Sequence, residues 1–217
     1  MKGDKKFWYR WIVNYSIGEL LGIGAAASIG RILFVEFSGT ALSQTPFLFF
    51  FILVLAGALE GIIIGYIQWR SLSRLVTIPF HPGSWTLVTM CAAIIGWLLV
   101  LPPSIVFISF LSSLKLIDNY YSLLYAAIAG FAFGGIIGFA QFFIIGTFYH
   151  KAYLWVIANA LGWMLSFNIV YAALLLFSYT TYYIANVLVI ITACALSGLA
   201  QGFITGQTLH FLMPLKK

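Results

Sequence analysis

Six long stretches of apolar residues alternate with short polar breaks along the chain. The apolar stretches cover roughly 11–35, 47–69, 86–111, 120–148, 153–178 and 183–213. Each is long enough for a helix that crosses a bilayer, which needs about 20 mostly apolar residues. None of the breaks is long enough to fold separately, so we predict a single all-α membrane domain of six transmembrane helices over residues 1–217.

Composition favours the same class. The chain is 63% hydrophobic and 7% charged, whereas a soluble domain has about 25% charged residues. A surface so poor in charge cannot face water. The formal charge of +6 arises at the ends of the apolar stretches rather than in one basic patch. This distribution argues against a nucleic-acid partner and leaves the lipid bilayer as the expected surroundings.

Lysine and arginine positions predict the orientation, because basic residues concentrate in cytoplasmic loops. One side of the membrane receives Lys2, Lys5, Lys6, Arg10, Arg70, Arg74, Lys151, Lys216 and Lys217. The other side receives Lys115 and, near the outer end of the first span, Arg31. We therefore expect both termini to be cytoplasmic and the protein to be a multi-pass protein of a bacterial cytoplasmic membrane.

A run of glycines at every fourth position occurs three times. The second, fourth and sixth spans contain GALEGIIIGYIQ, GFAFGGIIGFAQ and GLAQGFITGQTL. The run glycines are Gly57, Gly61, Gly65, Gly130, Gly134, Gly138, Gly198, Gly202 and Gly206. The first two runs end at Gln68 and Gln141, and Leu209 takes the place of glutamine in the third.

The odd-numbered spans carry a second motif, a tryptophan seven residues before a glycine. The pairs are Trp11 with Gly18, Trp155 with Gly162 and, with threonine in place of tryptophan, Thr89 with Gly96. The two motifs together divide the chain into three helical hairpins at about 1–76, 77–150 and 151–217. Because each unit has two spans, the repeats are parallel, which predicts a bundle with a pseudo-threefold axis along the membrane normal.

Each glycine run occupies one face of its helix, since positions 57, 61, 65 and 68 fall within about 80° of arc. Small residues let membrane helices approach closely. We interpret the runs as helix-packing faces, with Gln68 and Gln141 bonded to neighbouring spans. The alternative is that the glycine grooves line a ligand path. Asn14 lies on a similar small and polar face of the first span and is a further ligand candidate.

Two carboxylates lie inside the spans, both of them in the first unit. Glu60 corresponds to Phe133 and Gln201 in the other units, and Glu19 corresponds to a tryptophan in both. Each carboxylate lies roughly 12–14 Å above the cytoplasmic boundary. Ionisable residues within a span are costly and mark functional sites. We therefore expect Glu19, Glu60 and Gln201 to form a polar site that shares a proton, binds a cation or holds an amine. The alternative is a structural hydrogen bond, such as one between protonated Glu60 and Gln201.

Arg31 and the three histidines give weaker indications of a functional site. Arg31 lies about 18 Å along the helix from Glu19, too far to pair with it. We expect Arg31 to pair with Glu36 or to extend to the lipid headgroups, and the alternative is an outer gate. His81, His150 and His210 lie near the cytoplasmic edge without the spacing of a metal site. We expect no metal and no cofactor.

The paired motifs, GxxxGxxxGxxQ on even spans and Trp-x6-Gly on odd ones, resemble a loose group of uncharacterised bacterial multi-span membrane proteins. The resemblance covers most of the chain. It implies a six-span fold and carries no activity.

Three functions remain open after this reading of the sequence. The first is a small transporter or channel, or a ligand-binding membrane subunit, with its site around Glu19, Glu60 and Gln201. The second is a non-catalytic scaffold, assembly or immunity-type protein that packs against other membrane proteins or a second copy. The third is an intramembrane lipid enzyme. Such chemistry usually needs a cluster of acidic residues, and the chain has five acidic residues in all. We expect a protein that is not an enzyme.

Overall fold

The computed structural model describes residues 2–37, 46–75, 80–113, 119–177 and 182–212, and these residues are almost entirely helical. The helices are α1 (Lys2–Phe37), α2 (Pro46–Leu75), α3 (Pro82–Ser113), α4 (Asn119–Ile145), α5 (Tyr153–Phe177) and α6 (Tyr183–Leu212). Their positions match the six predicted apolar stretches, with the largest extensions at the N-terminal end of α1 and the C-terminal end of α2. The prediction of an all-α chain is confirmed for the described residues.

Five helices, α2 to α6, are long and apolar enough to cross a membrane. The structure is therefore that of a helical, membrane-compatible protein. Crossing of the membrane by α1 stays a prediction, and so do the three repeats and the orientation.

The helices form a closed ring. Each helix packs against its neighbours in chain order, and α6 packs against α1. Across the described residues, no other pair of helices makes close backbone contact. The ring therefore has an interior, across which α1 faces α4, α2 faces α5 and α3 faces α6.

The glycine runs lie at alternate interfaces of this ring. The run on α2 faces α3, the run on α4 faces α5, and the run on α6 faces α1. A Cβ at Gly61 would lie 2.5 Å from the Cα of Met90, and a Cβ at Gly202 would lie 2.9 Å from the Cα of Ile12. Each run glycine would bring a Cβ within 3.0 Å of the next helix. Since real Cβ atoms do not approach that closely, these helix pairs depend on glycine at these positions.

The outer surface of the ring is apolar. Large hydrophobic side chains are exposed on all six helices, for example Ile17, Phe47, Leu99, Phe143, Leu165 and Ile184. Lipid tails are as apolar as these side chains, so they are suitably placed in a bilayer. Burial of apolar area does not hold membrane helices together, which leaves close packing and interior hydrogen bonds to do so.

The connection between α4 and α5 lies at the predicted cytoplasmic end. Turns follow α4, and the Tyr149 amide donates to the carbonyl of Ile145 at 3.0 Å. The Tyr149 side chain is partly buried, and this burial raises the pKa of its phenol above the ordinary value. Lys115, Lys216 and Lys217, which entered the orientation prediction, lie outside the described residues.

Candidate functional site

The ring is closed near its predicted cytoplasmic end by a set of buried polar bonds, here called the amide layer, which comprises Tyr15, Gln68, Trp85, Gln141 and Trp155. Gln68 donates to the Tyr15 hydroxyl at 2.9 Å and accepts from the Trp85 indole at 3.1 Å. Gln141 donates to the Gln68 side-chain oxygen at 2.9 Å and accepts from the Trp155 indole at 2.8 Å. These bonds join α1 to α5, and they place both glutamines inside the ring, bonded between helices as predicted.

Tryptophan rings fill the space around the amide layer. The Trp155 ring lies 6.1 Å from that of Trp85 and 6.4 Å from that of Trp11, measured between centroids. All three tryptophans are fully buried. The Trp11 indole donates to the Thr205 hydroxyl at 3.0 Å, which joins α1 to α6. This end of the ring interior is therefore packed with side chains.

Trp85 is a residue that the sequence motif missed. The motif aligned Thr89 with the other two tryptophans, and Thr89 does take part, as an acceptor from Gln141 at 2.8 Å. The tryptophan that completes the set lies one helical turn earlier, eleven residues before Gly96 instead of seven. An allowance of one turn in the motif spacing would have found it.

A second level of inward-facing residues, here called the carboxylate layer, has one residue from each helix. Its members are Glu19, Glu60, Trp97, Phe133, Trp163 and Gln201. Each lies eight residues, or about 12 Å along the helix, from a buried residue near the amide layer. These six positions therefore lie at about one level of the ring, while the repeat that relates them stays a prediction.

Glu60 lies in this layer with a defined partner. It is 2% exposed, and its Oε2 accepts a hydrogen bond from the Trp97 indole of α3. A Cβ at Gly22 would lie 3.4 Å from Glu60 Cγ, so the small residue on α1 makes room for the glutamate. Glu60 is therefore held between α1 and α3 and reaches the interior.

Glu19 is fully buried against α6 and is differently placed. A Cβ at Gly198 would lie 3.1 Å from Glu19 Cγ. Glu60 and the Gln201 amide lie near enough to act on the Glu19 carboxyl electrostatically. Within the described residues, however, neither Glu19 nor Gln201 makes a side-chain hydrogen bond. The three candidate residues lie in one layer. The bond between Glu60 and Gln201 that was named as an alternative is not formed, and Glu60 instead accepts from Trp97.

An inner cavity of about 340 Å³ begins at the carboxylate layer and extends away from the amide layer. All six helices contribute to its lining. Glu60, Trp97, Phe133 and Trp163 line its inner end, and Ser122 and Leu174 lie near its outer end. From Trp163 to Leu174 the depth is about 16 Å at the rise of an α-helix. A volume of this size falls within the range of small-molecule pockets, about 300–1,000 Å³.

The cavity is apolar and aromatic apart from a few groups. Its rings come from Trp97, Tyr125, Phe133, Trp163, Phe167 and Tyr171, and its hydroxyls include Ser122, Ser166 and Ser197. The Phe133 and Trp163 rings meet edge to face with centroids 4.6 Å apart. Among the described lining residues, Glu60 is the one with an ionisable carboxyl, and none carries a basic group. The cavity thus combines one acidic group with aromatic walls.

Other candidates lie elsewhere. Asn14 donates to the Ser71 hydroxyl at 2.9 Å, on the amide-layer side of the ring and outside the cavity lining. Arg31 belongs to the backbone of α1, but its side chain lies outside the described part, so its role as an outer gate stays a prediction. The sequence did not single out Ser122, Ser166 or Ser197. In the described part of the chain, no three His, Cys, Asp or Glu side chains are grouped as metal ligands.

Comparisons of the chain with protein-family models, with curated proteins and with solved structures found no match. The function therefore has to be argued from the site alone.

Proposed function

We propose that the protein is a small-molecule transporter, or the ligand-binding membrane subunit of one, and that its ligand occupies the inner cavity. One observation carries this proposal: a cavity of about 340 Å³ lies inside the helix ring and ends on the carboxyl of Glu60. Membrane proteins keep ionisable groups inside the bilayer chiefly where substrates or ions pass. Purely structural packing would have filled this space with side chains.

The proposal includes the membrane arrangement. α1 crosses the bilayer as a sixth span, because it packs between α2 and α6 and carries exposed Ile17 and Leu21 on its outer face. The chain then consists of three parallel hairpins with both termini in the cytoplasm of a bacterial cell. The packed amide layer lies on the cytoplasmic side, and the cavity extends toward the outer side.

A scaffold function gains less support. We expected a scaffold to have glycine faces beyond those needed for internal packing. All nine run glycines instead face the next helix of the same chain. Gly24 and Gly135 have open space beside them, but they belong to no run. The polar groups of the amide and carboxylate layers likewise point to the interior, where a partner protein cannot reach them. No role as an enzyme is proposed.

Cysteine accessibility tests whether the cavity admits molecules. In a background with Cys91→Ser and Cys194→Ala, Ser122→Cys and Ser197→Cys place thiols on the cavity lining. Ile137→Cys is the matched control, since Ile137 is buried between the amide and carboxylate layers. We expect a water-soluble methanethiosulfonate reagent to label both cavity positions, from the outer side of intact cells, and to leave Ile137→Cys unlabelled. Equal protection of all three thiols would contradict the proposal.

A further inference from the structure

We propose that the ligand of the inner cavity is a small organic cation, an ammonium group on an apolar body, whose charge pairs with Glu60. This inference rests on the proposed function and specifies its ligand class. It follows from the charge, the walls and the position of Glu60 in the ring.

The first step concerns charge. A buried carboxylate is costly unless it is paired, hydrated or neutralised. The Trp97 indole supplies one hydrogen bond to Glu60, but no basic side chain belongs to the described lining of the cavity. A cationic ligand would supply an opposite charge beside Glu60, whereas an anionic ligand would add a second negative charge at the same place.

The second step concerns the walls. Helix α5 lies across the ring from α2, so Trp163 and Phe167 form the wall opposite Glu60. Their rings are nearly perpendicular, at 79°, with centroids 5.9 Å apart. Phe133 packs against both of them. Aromatic faces attract cations, and aromatic rings also pack well against apolar groups. The same wall therefore suits the charged end and the apolar body of the ligand.

The third step concerns Glu19, the other carboxyl of the layer. Glu19 is fully buried and does not belong to the cavity lining. It packs against Gly198 on α6, behind the lining residue Ser197. Glu19 belongs to the same layer as Glu60 but does not touch the described cavity. Contact with the cation is therefore assigned to Glu60, and Glu19→Gln becomes a matched control for removal of one carboxyl from the layer.

Three probes of nearly equal size separate charge from shape: benzylammonium, benzyl alcohol and benzoate. Binding to the purified full-length protein is followed by quenching of tryptophan fluorescence, because Trp97 and Trp163 line the cavity. We expect benzylammonium to bind at least about tenfold more tightly than benzyl alcohol, since its hydrogen bond to a carboxylate is charge-assisted. Benzoate should bind most weakly. Glu60→Gln should reduce benzylammonium affinity to that of benzyl alcohol, with benzyl alcohol itself unchanged, and Glu19→Gln should keep the preference.

The outcomes separate the inference from the proposed function. Equal binding of benzylammonium and benzyl alcohol to the wild type would overturn the cation assignment while leaving a cavity that binds small molecules. A preference for benzylammonium that survives Glu60→Gln but is lost in Glu19→Gln would overturn the assignment of Glu60. Binding of none of the three, together with protected thiols in the cysteine assay, would overturn the ligand class and the proposed function alike.

Discussion

The side-chain amide of Gln141 on α4 donates to the side-chain oxygen of Gln68 on α2 at 2.9 Å. These two helices do not pack against each other directly. The bond therefore spans the interior of the ring and joins two positions that the repeated motif makes equivalent. It connects the hydrogen bonds of Trp85 and Trp155 into one buried set.

Replacing Gln141 with leucine should destabilise the protein strongly. The change removes the acceptor of the Trp155 indole and two bonds donated by Gln141. Leaving a buried donor unpaired costs about 1–3 kcal/mol. We expect the free energy of unfolding in detergent to fall by at least that amount. Gln207→Leu is the control, because Gln207 is an exposed glutamine on α6. Equal stability of the two variants would contradict a structural role for the amide layer.

Two glycine-to-alanine changes should have opposite effects. Gly61→Ala would place a Cβ 2.5 Å from the Cα of Met90, so α2 and α3 would have to move apart. A Cβ added at Gly24 would have no atom of another helix within 4 Å. Alanine there should raise stability by up to about 1 kcal/mol through its helix propensity. Thermal unfolding of both variants, monitored by circular dichroism, should give a lower midpoint for Gly61→Ala alone.

We expect Glu19 to lower the free energy of unfolding of the protein. It is fully buried, and within the described residues its carboxyl oxygens accept no hydrogen bond. Replacing such a group with an apolar side chain of similar size removes a desolvation cost. Glu19→Met should therefore raise the free energy of unfolding, by about 1–3 kcal/mol. Glu60→Met removes the acceptor of the Trp97 indole and should not stabilise to the same degree. A loss of stability in Glu19→Met would favour the structural alternative, a hydrogen bond from a protonated Glu19.

Reporter fusions test the orientation. The distribution of lysine and arginine predicts that both termini are cytoplasmic. Green fluorescent protein fused after Lys217 should fluoresce, and alkaline phosphatase fused there should be inactive. Alkaline phosphatase inserted within 114–118, between α3 and α4, should be active. The reverse pattern would place the amide layer on the outer side and the cavity entrance in the cytoplasm.

The helices were predictable because each is a long apolar stretch between polar breaks, and the level of Glu19 and Glu60 followed from the rise of a helix. The direction of the glycine faces was not predictable. A run such as Gly57 to Gly65 shows that one face approaches a neighbour closely, but the preceding and following helices fit it equally well.

The cavity could not be predicted from the sequence, for a different reason. It exists because small residues such as Ala129 and Ser197 meet in the ring at one level. Alanines and serines are common in membrane helices, so none of them stands out. The asparagines illustrate a further limit. Asn159 and Asn168 could each bond to another helix, yet each donates to a carbonyl four residues earlier on its own helix. An asparagine side chain can donate to its own helix or to a neighbouring one, and the sequence does not show which hydrogen bond forms.

The contact between α6 and α1 has a consequence for biosynthesis. The third glycine run, which holds these helices together, is the last part of the ring to leave the ribosome. Until α6 enters the bilayer, Glu19 has no Gly198 to pack against and is left at the open edge of an incomplete ring. Earlier hairpins can insert one by one, but the ring itself closes in a single late step. A chain truncated before α6 would leave the carboxyl of Glu19 without the helix that buries it.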